Sequence, residues 1–346
     1  MTARVRPRWL PGRVARGGPS GGGTVDLTTR IGSVTLPNPV MTAWGTSAHG
    51  AELARYLDLG DLGAVVVTSL HAEPGAGNPP PRVHETVAGT AASVGVQGPG
   101  VAGWLADDLP ALTATGARVV ASISGSTIAE YEQAAALLAG APASVVAVEV
   151  NLSCPDTTSG RGLFAHSPDA THAVVAAAGA WDRPLWAKLS PNVGDLATVA
   201  VAARDAGAEA VTLVDTVLGT AVDHGTGTFR LGAGALGGEL SGPAIHPIAV
   251  RAVFDVHRAV PDLPIVGVGG IACGVDAAEM MLAGARAVQV GGATLADPRT
   301  PGRVLAELRA WGDRRGIARL ADVVGAVEDR QWPERARGRG TTDGSD

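Results

Sequence analysis

Eight short apolar, β-branched runs recur along this chain, and each is followed by residues whose apolar positions repeat with helical spacing. The runs are Pro39–Ala43, Ala64–Ser69, Arg118–Ser122, Val145–Val150, Leu185–Leu189, Ala210–Val214, Ile265–Val268 and Ala287–Val290. The helical stretches are Ala51–Leu59, Val101–Thr113, Ile128–Ala139, Asp169–Ala178, Leu196–Ala206, Ile245–Ala259, Val275–Ala283 and Arg303–Trp311. A continuous apolar run bounded by turn residues reads as a strand buried on both faces. Parallel strands need a helical crossover, and right-handed crossovers close the sheet when eight follow in series. The pattern therefore predicts an α/β fold, a (β/α)8 barrel, over residues 27–325, with a doubly wound open sheet as the alternative. A Gly-rich insertion, Gly219–Glu239, follows the sixth strand and is expected to cover the barrel mouth.

Composition narrows the partners. The chain has 346 residues with 46% hydrophobic content, enough for one large core, and a net charge of −6. No basic stripe interleaved with aromatics is present, which argues against nucleic acid. No stretch reaches the roughly 20 apolar residues of a membrane span. Two cysteines, Cys154 and Cys273, make no disulfide framework, so a reducing cytoplasm is the simplest compartment. Residues 1–26 hold Arg4, Arg6, Arg8, Arg13 and Arg16 among Pro and Gly, and read as a solvated tail or an arm for targeting or an acidic partner. Residues 326–346 read as a second tail.

In barrels of this kind the chemistry lies at the carboxyl ends of the strands. Those ends read Ala43-Trp44-Gly45, Thr68-Ser69-Leu70-His71, Asn151-Leu152-Ser153-Cys154, Lys188-Leu189-Ser190, Asp215-Thr216, Gly269-Gly270 and Gly291-Gly292. Cys154 stands before Pro155 in a Gly/Ser loop bounded by Arg161, where a thiol serves as a base if its neighbours favour the thiolate. Cys273 looks like an inert apolar cysteine. Lys188 interrupts an otherwise apolar strand, so its ammonium needs an anionic partner: either a core carboxylate such as Glu149, or a bound anion. Two successive glycine turns, Gly269-Gly270 and Gly291-Gly292, open helices with free N–H groups, which suits a phosphate, although either turn alone serves a tight bend equally well. The histidines His49, His71, His84, His166, His172, His224, His246 and His257 show no metal-ligand spacing, and no metal is expected.

Several segments together resemble the class 1 dihydroorotate dehydrogenases. These are Glu149-Val150-Asn151-Leu152-Ser153-Cys154-Pro155, Lys188-Leu189-Ser190-Pro191-Asn192, Leu240-Ser241-Gly242-Pro243-Ala244, Gly267-Val268-Gly269-Gly270-Ile271 and Gly77-Asn78-Pro79-Pro80-Pro81-Arg82. The likeness spans about Ile31 to Ala310. It implies an FMN-binding barrel that oxidises a ring C–C single bond, with hydride passing to the flavin and Cys154 taking the neighbouring proton. It also implies flavin contacts from Ala43, Gly45, Asn151, Lys188, Val214, Gly242, Gly269, Gly270, Gly291 and Gly292. Substrate contacts would come from Asn151, Asp156, Asp215, Thr216 and Gly98. The expected partners are a small cyclic amide or related heterocycle, a second copy of the chain, or an electron-transfer subunit.

The departures have a direction. The family's lysine at the second strand end is Val66 here, and family asparagines are replaced by Gly98, Asp156 and Asp215. Ionised Asp only accepts hydrogen bonds, whereas Asn also donates. The substrate is thus expected to be dihydroorotate or, in better accord with these changes, a neutral or cationic relative. A flavin-free, phosphate-binding lyase or isomerase using Lys188 and Asp215, and an inactive FMN-binding homologue, are the competing expectations.

Overall fold

The computed structural model describes residues 24–155, 157, 162–179, 183–232 and 238–328. Asp156, Arg161, most of the N-terminal arm and the end of the C-terminal tail lie outside the described residues. Eight parallel strands form one sheet: β1 (Val40–Thr42), β2 (Val65–Val66), β3 (Val119–Ile123), β4 (Val145–Asn151), β5 (Leu185–Leu189), β6 (Ala210–Leu213), β7 (Ile265–Val268) and β8 (Ala287–Val290). Each pairs with its neighbours in sequence, β8 pairs with β1, and a parallel bridge between Met41 and Ala64 closes the ring. All eight runs read from the sequence are strands of this barrel.

Two helical expectations change. Ala51–Leu59 folds as the short 3-10 turns Glu52–Arg55 and Leu59–Asp61, the second capped by the Asp58 carboxylate accepting from the Gly60 N–H. The helix expected over Val101–Thr113 runs through a wider, π-type turn at Trp104–Asp108 before continuing as Leu109–Ala114. Pro110 has no N–H to give the preceding turn, so the local hydrogen-bond ladder must re-register. The remaining helices, such as Ile128–Leu137, Pro168–Ala178 and His246–Ala259, lie where their apolar spacing puts them. Ser167 caps the Pro168–Ala178 helix, its hydroxyl accepting from the Ala170 N–H.

The barrel has two apolar compartments. Outside, the strands pack on helices through residues such as Val148, Val150, Leu189 and Val253. Inside, Met41, Val66, Val120, Ala147, Trp186, Ala210, Val266 and Ala287 meet a hairpin, Thr29–Ile31 with Val34–Leu36, whose Ile31 and Leu36 are fully buried. That hairpin stoppers one end. Towards the other end the interior turns polar, with Glu149, Lys188, Thr212 and Gln289 all buried.

The loops after β2 and β6 build a separate four-stranded antiparallel sheet, in the order Val217–Gly219, Gly238–Ser241, Gly89–Ala92, Val83–Thr86. Its register places Glu239 opposite Leu218 on one side and Ala92 on the other. The Gly-rich insertion thus returns as a paired strand directly beyond the carboxyl end of β6, with residues 233–237 outside the described set.

Candidate active site

β4 and β5 lie side by side with Asn151 level with Lys188, and the Leu152 N–H donates to the Lys188 carbonyl at 3.2 Å. Cys154 follows three residues on, so the thiol and the ammonium come from adjacent strands at the same rim. The Asn151 side chain is locked by donating to Ser69 Oγ at 3.2 Å and accepting from the Ser153 N–H at 3.0 Å. Ser69 in turn shares a hydrogen bond with Ser122 at 2.8 Å, which ties the ends of β2, β3 and β4 together.

Cys154 is a half-buried free cysteine. Low-polarity surroundings push its thiol up to about 12; the Tyr131 and Ser124 hydroxyls work against that rise, while the carboxyl groups of Glu239 and Asp215 add to it. Tyr131 is fully buried, stacks edge-on against Phe164 with ring centres 5.5 Å apart, and donates to the Asn151 carbonyl. It belongs to the inward face of the Ile128–Leu137 helix. Neither Tyr131 nor Glu239 stood out in the sequence: a tyrosine in an amphipathic helix reads as core, and one glutamate in a Gly-rich insertion reads as surface.

The buried Lys188 ammonium donates to Gln289 Oε1 at 3.3 Å and lies 3.9 Å from Glu149 Oε1. The other Glu149 oxygen accepts from Thr212 Oγ1 at 2.8 Å and Gln289 Nε2 at 2.6 Å. The core partner foreseen for this lysine is therefore present.

Across the rim, Asp215 is 4% exposed; its Oδ1 accepts from Trp44 Nε1 at 3.3 Å, and its Oδ2 is buried with no partner among the described residues. The Thr216 and Ser153 hydroxyls are likewise buried without partners among the described residues. Burial and, after it, the Asp215 charge push Glu239 up to about 8. Asn192 holds this side in place, donating to the Thr216 carbonyl at 3.0 Å and accepting from the Leu218 N–H at 2.9 Å.

The glycine turns converge. A Cβ on Gly270 would stand 2.6 Å from His246 Cβ and 2.9 Å from the Gly242 carbonyl; one on Gly292 would stand 3.4 Å from the Gly242 nitrogen. Gly242, Gly269 and Gly270 have φ of +95°, +131° and +67°. The N–H groups of Gly242, Gly270, Gly291 and Gly292 donate to no backbone acceptor among the described residues. Three loops thus leave a concave patch of donors that side chains would fill. Ala43 closes against it, its Cβ 3.3 Å from where a Cβ on Gly291 would be, and Gly45 turns away with φ +77°. Val214 donates to the Val268 carbonyl at 2.9 Å, fixing the start of the Asp215 loop. Val66 is fully buried inside the barrel. Gly98 sits in a small ribbon with Gly75, where a Cβ would come 2.9 Å from His49 Nε2. Asp156 lies outside the described residues. Among those described, no cluster of His, Cys, Asp or Glu suited to a metal occurs, and no helix is long and apolar enough to cross a membrane.

Comparison with known proteins agrees with this geometry. Residues 26–311 match the dihydroorotate dehydrogenase family pattern. The chain is 45% identical over 304 residues to the "Dihydroorotate dehydrogenase B (NAD(+)), catalytic subunit" of Desulforudis audaxviator, covering 88% of this chain and 98% of that one. It is 42% identical to the like-named subunit of Geobacter sulfurreducens, with the same coverage. A Solibacter usitatus relative of the A (fumarate) type by name is 44% identical over 88% of this chain and 99% of its own length. The chain belongs to the dihydroorotate dehydrogenase family, FMN-dependent oxidoreductases that act on CH–CH groups.

Proposed function

We propose that this protein oxidises a ring C–C single bond of a cyclic amide or related heterocycle, dihydroorotate or a neutral or cationic relative of it. The observation that carries this reading is the delivery of Cys154 and Lys188 by neighbouring strands to the rim that also holds the glycine cradle.

The residues present fit FMN. The cradle of Gly242, Gly269, Gly270, Gly291 and Gly292 has the free donors and missing side chains that a phosphate requires, and Ala43, Gly45, Asn151 and Val214 border it. FMN bound there supplies the hydride acceptor. Cys154, with the Tyr131 and Ser124 hydroxyls close by, takes the proton from the carbon next to the one that loses hydride. Asn151, clamped by Ser69 and Ser153, holds the ring in register. Lys188 places its positive charge where negative charge collects on reduction.

Electrons then leave through a separate electron-transfer subunit, in keeping with the relatives named as catalytic subunits; association of two copies of the chain is proposed from the family resemblance. Two cysteines that make no disulfide framework are in keeping with a cytoplasmic location.

The purified protein is expected to be yellow, to release FMN on denaturation, and to bleach anaerobically with its substrate. A colourless protein that refuses added FMN returns the flavin-free lyase or isomerase. Gly270→Ala tests the cradle: a side chain at φ +67°, against His246, should weaken FMN retention at least about tenfold, from roughly 1–3 kcal/mol of strain. Equilibrium dialysis against free FMN measures it, and unchanged retention would place the phosphate elsewhere.

A further inference from the structure

We propose that Asp215 and Glu239 together select a ring that presents an uncharged N–H and C=O edge and carries no carboxylate, so that dihydroorotate is excluded at neutral pH. The inference rests on the flavin oxidoreductase reading above and specifies its substrate class.

The geometry comes first. Asp215 follows β6 by two residues, Glu239 stands on the strand paired with Val217–Gly219, and both carboxyl groups are near enough to Cys154 to raise its thiol. Trp44 occupies one Asp215 oxygen, and the other is buried and unpartnered among the described residues. An acceptor in that condition calls for a donor on the ligand, since a buried polar group left unpaired is costly. The Thr216 and Ser153 hydroxyls, also unpartnered, add adaptable donor–acceptor sites.

The charge balance points the same way. Lys188 is the chain's one lysine, and it is engaged by Glu149 and Gln289. Among the described residues no arginine, lysine or histidine pairs with Asp215 or Glu239: the ion pairs of Arg230, Arg303 and His246 go to Asp223, Glu307 and Glu279. Burial and the neighbouring Asp215 charge hold Glu239 to about 8, so the Glu239 carboxyl group keeps its proton at neutral pH. One carboxylate then accepts a ring N–H, and one carboxylic acid donates to the adjacent C=O. A neutral lactam edge satisfies both. A ligand carboxylate adds a like charge at a few ångströms, which at an effective dielectric of about 20 weakens binding by roughly a hundredfold or more.

The test is a titration of the FMN-loaded protein with orotate and, separately, uracil, followed through the flavin absorption band at pH 7.5. It compares the native protein with Asp215→Asn, Glu239→Gln and the double variant, whose flavin spectra report that the site is intact. Orotate is expected to bind the double variant at least about a hundredfold more tightly than the native protein, with uracil changing less than about threefold. Tight orotate binding by the native protein, an orotate gain below tenfold, or equal gains for both rings would overturn the proposal while leaving the flavin reading intact. Protein that takes up no FMN would overturn both.

Discussion

Replacing Cys154 by serine is expected to slow anaerobic flavin reduction by roughly a thousandfold while FMN stays bound, as befits the loss of a general base. The two effects separate because Cys154 stands just beyond the end of β4, whereas the glycine cradle is built by the loops around Gly242, Gly270 and Gly292. Stopped-flow bleaching measures the first and the visible spectrum the second. Unchanged reduction would make Cys154 an inert cysteine. The pH profile sharpens the test. With the thiol pushed up to about 12, only about one molecule in 10⁵ carries the thiolate at pH 7, and that fraction grows about tenfold per pH unit. The native rate should therefore climb between about pH 7 and 10 without levelling, and the serine variant should lose that climb. Stability moves the opposite way. Burial raises the thiol from an ordinary value of 9.0, so the unfolded chain gives up this proton first. The contribution to folding is whole below about 9 and is lost as pH rises through about 12.

Lys188→Met should destabilise the flavin-free protein by about 3–5 kcal/mol, because it strands a buried carboxylate. Glu149 is fully buried, and its Oε1 has the Lys188 ammonium at 3.9 Å as its nearest positive charge. Thr212 and Gln289 satisfy only the other oxygen. The double variant Lys188→Met/Glu149→Gln should recover most of the loss, since an amide of the same shape needs no counter-charge. Urea unfolding of the native protein, Lys188→Met, Glu149→Gln and the double variant gives the coupling. If the single and double variants were equally unstable, the lysine would be acting by packing alone. The same ammonium serves two partners in turn. In the barrel it compensates Glu149, and under the proposed function it would also lend its positive charge to the bound flavin. The sequence left those two uses as alternatives; the polar layer of Glu149, Thr212 and Gln289 beneath Lys188 makes them compatible.

Much of this was open to reading along the chain. The eight strands were legible because a strand buried on both faces must be a continuous apolar run, and helices packed against it must repeat their apolar residues near 3.6. Cys154, Lys188 and the paired glycines stood out because each breaks its local pattern: a thiol before proline in a polar loop, a charge in an apolar strand, glycines opening helices. Where a local rule failed, the cause was also local. Pro110 widened a helix by withholding one N–H, and the residues between Gly50 and Gly60 closed into 3-10 turns instead of a full helix.

What no stretch of residues could disclose is which distant groups share a space. Tyr131 reaches Cys154 from another crossover helix, Gln289 reaches Lys188 from a strand 101 residues on, and Glu239 meets Asp215 because a glycine-rich loop returns as a paired strand. Periodicity reports which face of an element is buried, since that depends on neighbours a few residues apart. Hydrogen bonds, proton affinities and the sign of a pocket depend on distances across the barrel. Those distances exist only once the ring has closed.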